Sequence, residues 1–204
     1  MTRRPIALAG SLHDGDAAPV FQAIDINGRT VDLSALRGSR IWLSFLRFAN
    51  CPLAQAKLEK IKALAAAFPA LRPVAVGTPE VERRPRYREA GFPVIADDEQ
   101  ALYRLYGAEH SFPRAMVPTN QWAAVKAMCR GYWLGVPLER PLWRMPADFL
   151  IDENGLIAQA HYGRRMHDDI APHSVQAFVE AGPRRSARNP GPLATGPRSP
   201  ALAD

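Results

Sequence analysis

The sequence is poor in cysteine and has no long apolar run, and both absences narrow the class of protein. Only two cysteines, Cys51 and Cys129, occur in 204 residues, too few for a scaffold held by disulfides. They form no Cys-x-x-Cys pair, which excludes a zinc ribbon. No apolar run approaches the ~20 residues that cross a bilayer, and the apolar stretch near the N-terminus is too short for a signal peptide. We therefore expect a cytoplasmic protein without a membrane-spanning segment.

Lysine is also scarce, so the positive charge rests mainly on arginine. Lysine and arginine total 26 against 20 acidic residues, a net charge of +6. Residues 183–204 hold four arginines and one aspartate, which supplies +3 of that total. Their richness in proline, serine and glycine predicts a disordered basic tail. The rest of the chain is only mildly basic, so we do not expect nucleic-acid binding.

Alternating strand and helix patterns follow one another along the chain. A near-continuous apolar run over 41–48 predicts a buried strand, 53–68 a helix with its lysines on the polar face, and 72–78 a second buried strand. Asn27-Gly28 and the turn at 153–155 each predict a hairpin. This order predicts an α/β three-layer sandwich with a mixed central sheet and an N-terminal β-hairpin extension.

The segment 110–145 interrupts this order before the last hairpin and reads as an insertion. It combines three tryptophans with several arginines, and the part that ends at Cys129 has helical character. Two interpretations of its tryptophans are open. They pack the insertion onto the sheet, or they form the contact of a homodimer, where Trp and Arg are enriched.

Cys51 has the more informative position of the two cysteines. It stands directly between a predicted buried strand and a predicted helix that begins at Pro52. Unpaired N–H groups and the positive end of the helix dipole favour a thiolate there, and Arg47 adds a positive charge. The alternative is a buried, inert cysteine. The order of strand, cysteine, proline and helix favours a reactive one.

Three stretches of the sequence resemble the peroxiredoxin and redoxin (AhpC/TSA-type) group of the thioredoxin fold. They are the entry segment 15–38, the junction Phe45-Leu-Arg-Phe-Ala-Asn-Cys51-Pro52, and the late hairpin 146–155. The resemblance covers roughly 15–181. It implies an N-terminal arm (1–14), one thioredoxin-like domain (15–182) that contains the insertion, and the tail.

The resemblance also implies a thiol-dependent oxidoreductase or antioxidant protein. Cys51 would reduce a peroxide or exchange with a thiol or disulfide, Pro146 would be a cis-proline beside it, and an external thioredoxin- or glutathione-like thiol would be the reductant. No cofactor or metal is implied. The His- and Asp-containing stretch 161–173 matches no compact ligand motif, and we expect its side chains to be solvated.

Two departures from the family pattern leave alternatives open. Phe48 stands where peroxiredoxins carry a threonine, and Ala54 stands where thioredoxins carry a second cysteine. A non-catalytic thioredoxin-like binding module is therefore the second hypothesis. Cys129 is either the thiol that resolves oxidised Cys51 or an idle residue, in which case Cys51 works as a single-cysteine centre.

Overall fold

A computed structural model describes residues 11–108, 118–132 and 144–181. The strands are β1 (Gln22–Ile24), β2 (Thr30–Asp32), β3 (Arg40–Phe45), β4 (Leu71–Gly77), β5 (Val94–Ala96), β6 (Ala147–Ile151) and β7 (Ile157–Tyr162). The helices are α1 (Pro52–Ala67), α2 (Pro85–Arg88), α3 (Ala101–Leu105), α4 (Pro118–Cys129) and α5 (Pro172–Glu180), with a 3₁₀ turn at Pro79–Arg83.

The central sheet is mixed and has the strand order β5-β4-β3-β6-β7. Strand β3 runs parallel to β4 and antiparallel to β6, and its six residues are all buried. A strand flanked on both edges and covered on both faces needs an apolar sequence throughout, which explains the continuous run at its position. The predicted α/β class with a mixed sheet is confirmed.

Two apolar clusters cover the two faces of the sheet and make the fold three-layered. One face packs Trp42 and Leu150 against Leu58 of α1 and Val175 of α5. The other face packs its side chains against α3 and the N-terminal hairpin, with an aromatic group at its centre: Phe45, Tyr103, Tyr106 and Phe149. Helix α1 is thereby fixed against the strand that precedes it in sequence.

The predicted elements recur with small changes of boundary. The hairpin turns at Gly28, whose φ of +81° suits a glycine. The basic stretch 79–90 is a 3₁₀ turn followed by the short α2, because Pro85 starts a new helix. The predicted arm (1–14) is described only from residue 11, the predicted tail lies outside the described residues, and of the insertion the structure describes 118–132 and 144–145.

Candidate active site around Cys51

Cys51 lies in the junction between β3 and α1, at the carboxyl end of the central strand. Its backbone is extended, with φ −75° and ψ 126°, and it is the residue that precedes the first turn of α1. Pro52 opens the helix, where its missing N–H costs nothing. The Cys51 residue is 2% exposed and packs with Phe48 and Ala54. The residues around the β3–α1 junction are therefore sufficient to place a buried thiol at the N-terminus of a helix.

A buried arginine contacts the thiol directly. The Nη1 atom of Arg47 lies 2.8 Å from Cys51 Sγ, and its Nε donates a 2.8 Å hydrogen bond to the carbonyl of Arg144. Burial lowers the pKa of Arg47 and the neighbouring Cys51 sulfur opposes that shift, but arginine stays charged at any relevant pH. The guanidinium therefore offers the sulfur a charged hydrogen-bond donor, and hydrogen bonds with an ionised partner are stronger than neutral ones.

A second buried arginine, Arg144, borders the same region. Arg144 is 1% exposed, and its guanidinium carbon lies 3.7 Å from the centre of the Tyr103 ring. Within the described part of the chain, its Nε and Nη1 atoms have no hydrogen-bond partner. A buried cation with free donors is energetically unfavourable. Such a group suggests a binding role for an oxygen-rich ligand rather than a role in stability.

Tyr103 and Asp97 both interact with Arg144. The Tyr103 hydroxyl lies 2.7 Å from the carbonyl of Leu46 and 3.1 Å from that of Val76, the residues at the ends of two neighbouring strands. Burial raises the pKa of Asp97, although backbone N–H groups at 101–103 and the charge of Arg144 partly oppose the shift. The Tyr103 ring that stacks on Arg144 is therefore anchored to the strand from which the Cys51 loop emerges.

Further hydrogen bonds fasten the loop that carries Cys51. The Ala49 N–H donates to Thr78 Oγ1 at 3.3 Å, and Tyr87 donates its hydroxyl hydrogen to the Ala49 carbonyl at 2.9 Å. The Cys51 N–H donates to the Phe48 carbonyl at 3.0 Å. The position of the sulfur is thus set by backbone contacts from several elements.

A buried ionic network lies farther along α1. Lys57 Nζ is 2.9 Å from Asp148 Oδ2 and 3.5 Å from Asp169 Oδ1, and Trp42 Nε1 donates to Asp148 Oδ1 at 3.0 Å. Burial alone would lower the pKa of Lys57 and raise that of Asp148. Their mutual attraction outweighs burial, so the pKa of Lys57 is raised and that of Asp148 is lowered.

The positions of Lys57 and Asp169 in this network differ from those expected from the sequence. Lys57 was expected on the polar face of its helix, but it is 3% exposed. It stands four residues before Ile61 and seven before Leu64, and this spacing places it on the apolar face. Asp169 was expected to be solvated, but it is 13% exposed and also pairs with Lys60 at 3.0 Å. The helical spacing is the signal that would have identified Lys57.

The structure also places the other two predicted site residues, Pro146 and Cys129. Pro146 is buried just before β6, which pairs with β3 through Ala147 and Phe45, so it lies at the same end of the sheet as Cys51. The Gly163 N–H donates a hydrogen bond to the Pro146 carbonyl at 2.9 Å. Cys129 ends α4 and is exposed, and both cysteines are free thiols. The resolving role of Cys129 stays a prediction.

Comparison with known proteins gives the family of the chain. The family model described as the AhpC/TSA family matches residues 15–160. The chain belongs to the AhpC/TSA family. Membership in the AhpC/TSA family assigns it a thiol-dependent redox function. No curated protein matches the sequence.

Solved structures support the fold of this AhpC/TSA family member. A peroxiredoxin-like protein from Aquifex aeolicus superposes with a TM-score of 0.60 at 14% identity, over 85% of this chain and 90% of the other. A thiol peroxidase from Chromobacterium violaceum gives 0.59 at 14% identity, over 86% and 90%. A thiol:disulfide interchange protein from Bacteroides sp. gives 0.50 at 18% identity, over 88% and 95%. At these identities the likeness establishes the thioredoxin-like fold.

Metal ligation and membrane insertion find no support in the described ranges. No group of three or more His, Cys, Asp or Glu side chains within 11–108, 118–132 and 144–181 is arranged to hold a metal ion. No helix in those same ranges has the length and apolar character needed to cross a membrane.

Proposed function

We propose that this protein is a thiol peroxidase whose nucleophile is Cys51. The observation that carries the proposal is the 2.8 Å contact between Arg47 Nη1 and Cys51 Sγ at the N-terminus of α1. A cysteine is nucleophilic as a thiolate, and a neighbouring guanidinium favours that form. An inert core cysteine has no need of a buried arginine beside it, which argues against a purely structural thiol.

The proposed reaction is a two-electron oxidation of the sulfur. The Cys51 thiolate attacks the terminal oxygen of a hydroperoxide, the S–O bond forms and the O–O bond breaks. The sulfur becomes a sulfenic acid. The other peroxide oxygen leaves as an alkoxide or hydroxide and takes a proton from water, which gives an alcohol or water. The peroxide is reduced by the same two electrons.

Arg144 is proposed to stabilise the oxygen that leaves. Its free Nε and Nη1 donors are buried, and its carbonyl accepts a hydrogen bond from Arg47, so the two arginines belong to one unit. Preorganised donors aimed at a developing negative charge lower the barrier without needing to reorganise. Their positive charge substitutes for the threonine hydroxyl that is absent at Phe48.

The sulfenic acid is proposed to be reduced by an external thiol. Cys51 is buried, Cys129 is exposed at the C-terminal end of α4, and the first turn of α1 holds no second cysteine. A single-cysteine cycle fits a buried Cys51 and an exposed Cys129 that are both free thiols. A mixed disulfide between Cys51 and the external thiol forms first, and a second thiol then releases the reduced enzyme.

Peroxide consumption coupled to thiol oxidation tests the proposal. Cys51→Ser should abolish hydrogen peroxide consumption in the presence of dithiothreitol, because serine cannot form the sulfenic acid. Cys129→Ser is the matched control and should retain the rate. Equal rates for wild type and Cys51→Ser would refute the assignment.

A further inference from the structure

A cavity whose lining does not include Cys51 lies between α1, α4 and the loop that follows β7. Its volume is about 410 Å³, within the range of small-molecule sites. Helix α1 lines it with Leu53, Lys57 and Lys60, and α4 lines it with Lys126 and Arg130. The wall is therefore strongly basic.

Two of these cations are already neutralised. Lys57 is paired with Asp148 and Asp169, and Lys60 Nζ lies 3.0 Å from the same Asp169. Two ammonium groups thus face two carboxylates. This part of the wall is fixed in place and contributes little net charge.

The cations on α4 are not neutralised. Lys126 and Arg130 are both exposed, and no carboxylate in the described ranges forms an ion pair with either. Lys126 Nζ instead lies 5.8 Å from the centre of the Trp122 ring. The cavity therefore carries an excess of two positive charges, which complements a ligand with two negative groups.

The cavity is adjacent to the packing around the reactive sulfur. Leu53 lines it and also packs against the cluster of Phe48, Cys51 and Ala54. With a rise of ~1.5 Å per residue, Lys57 lies roughly 9 Å along the helix axis from Cys51. A ligand that binds the basic wall and carries a thiol roughly 9 Å from its bound end would place its sulfur at the N-terminus of α1.

We propose that this cavity binds the reductant of Cys51, and that the reductant is a tripeptide-sized thiol with two carboxylates. This inference rests on the proposed function. The thiol sulfur of the ligand attacks the Cys51 sulfenic acid, an S–S bond forms, and the S–O bond breaks with release of water. A second molecule of the same thiol attacks the mixed disulfide, which releases reduced Cys51 and the disulfide of the ligand.

Glutathione and its diethyl ester form a matched pair of probes, since they share the thiol and differ in the two carboxylates. The protein is oxidised with one equivalent of hydrogen peroxide, and the rate of reduction by each probe is measured. The ratio of the glutathione rate to the ester rate should fall about tenfold in Arg130→Glu. Arg104→Glu is the control, because it makes the same charge change at an exposed site on α3. An unchanged ratio in Arg130→Glu, or an equal fall in both variants, would overturn the inference.

Binding to the reduced protein separates this inference from the proposed function. Calorimetric titration of glutathione into the reduced wild type should show saturable binding, weakened at least fivefold by Arg130→Glu and not by Arg104→Glu. Absence of saturable binding, while peroxide still oxidises Cys51, would contradict the cavity assignment alone. Failure of peroxide to oxidise Cys51, with glutathione binding intact, would contradict the proposed function alone.

Discussion

At the scale of single residues, the proposed reactivity of Cys51 depends on Arg47. Its guanidinium contacts the Cys51 sulfur at 2.8 Å and is held in place by the Arg144 carbonyl. A hydrogen bond to a charged partner contributes about 1.5–3 kcal/mol, and 1.4 kcal/mol corresponds to a factor of ten in rate. These contacts make Arg47 the residue that acts most directly on the Cys51 sulfur.

Arg47→Met should lower the rate of Cys51 alkylation by iodoacetamide at pH 7 by about tenfold or more. The methionine fills most of the same space but offers no positive charge to the sulfur. The measurement is a time course of alkylation followed by mass spectrometry, with Arg104→Met as an exposed control. A rate equal to that of the wild type would show that the contact does not activate the thiol.

The variant Arg144→Met distinguishes a role of Arg144 in the reaction from a role in stability. Arg144→Met removes a buried cation whose Nε and Nη1 have no partner in the described ranges. We expect the melting temperature to stay level or rise, since two guanidinium nitrogens of Arg144 are buried without a hydrogen-bond partner in the described ranges, which is costly. The rate constant with hydrogen peroxide should fall about tenfold. A loss of melting temperature with an unchanged peroxide rate would assign Arg144 to the fold instead.

At the scale of elements, one buried network joins α1, β3, β6 and the loop before α5. Lys57, Trp42 and the Ile170 N–H all bind the Asp148 carboxylate. Such a network resists the sliding of α1 over the sheet, because any displacement would leave a charge buried without its partner. The N-terminus of the same helix holds Cys51, the proposed nucleophile.

Lys57→Met should destabilise the protein by about 3–5 kcal/mol at pH 7, the cost of leaving a buried charge without its partner. Because the folded pKa of Asp148 is depressed, its contribution is present above the ordinary aspartate value of ~3.9 and is lost as the pH falls through the folded value. The difference between wild type and variant should therefore shrink below about pH 4. Urea unfolding at several pH values measures it, with Lys62→Met as the control on the same helix. A difference that does not change with pH would contradict the pairing.

Sequence patterns predicted the local features of the molecule and failed for those that depend on distant contacts. The junction of β3, Cys51 and α1 follows from neighbouring residues, and both hairpins follow from their turns. The Arg47 to Arg144 and Lys57 to Asp148 contacts join positions 97 and 91 residues apart. The register of β6 beside β3 creates them, and periodicity within one segment carries no information about that register.

At the scale of the whole molecule, the catalytic cycle depends on whether Cys129 reaches oxidised Cys51. Cys129→Ser should leave the rate of reduction of oxidised Cys51 by an external thiol unchanged. Non-reducing gel electrophoresis and intact mass should detect no Cys51–Cys129 disulfide in the wild type after peroxide treatment. An intramolecular disulfide in the wild type that is absent from Cys129→Ser would establish Cys129 as the resolving thiol.

Mass spectrometry of the protein treated with hydrogen peroxide in the presence of dimedone, which traps sulfenic acid, tests directly whether Cys51 is the nucleophile. We predict one dimedone adduct located on Cys51, no adduct on Cys129, and no adduct in Cys51→Ser. Peroxide consumption by the wild type without any adduct on Cys51, or an adduct on Cys129 alone, would contradict it.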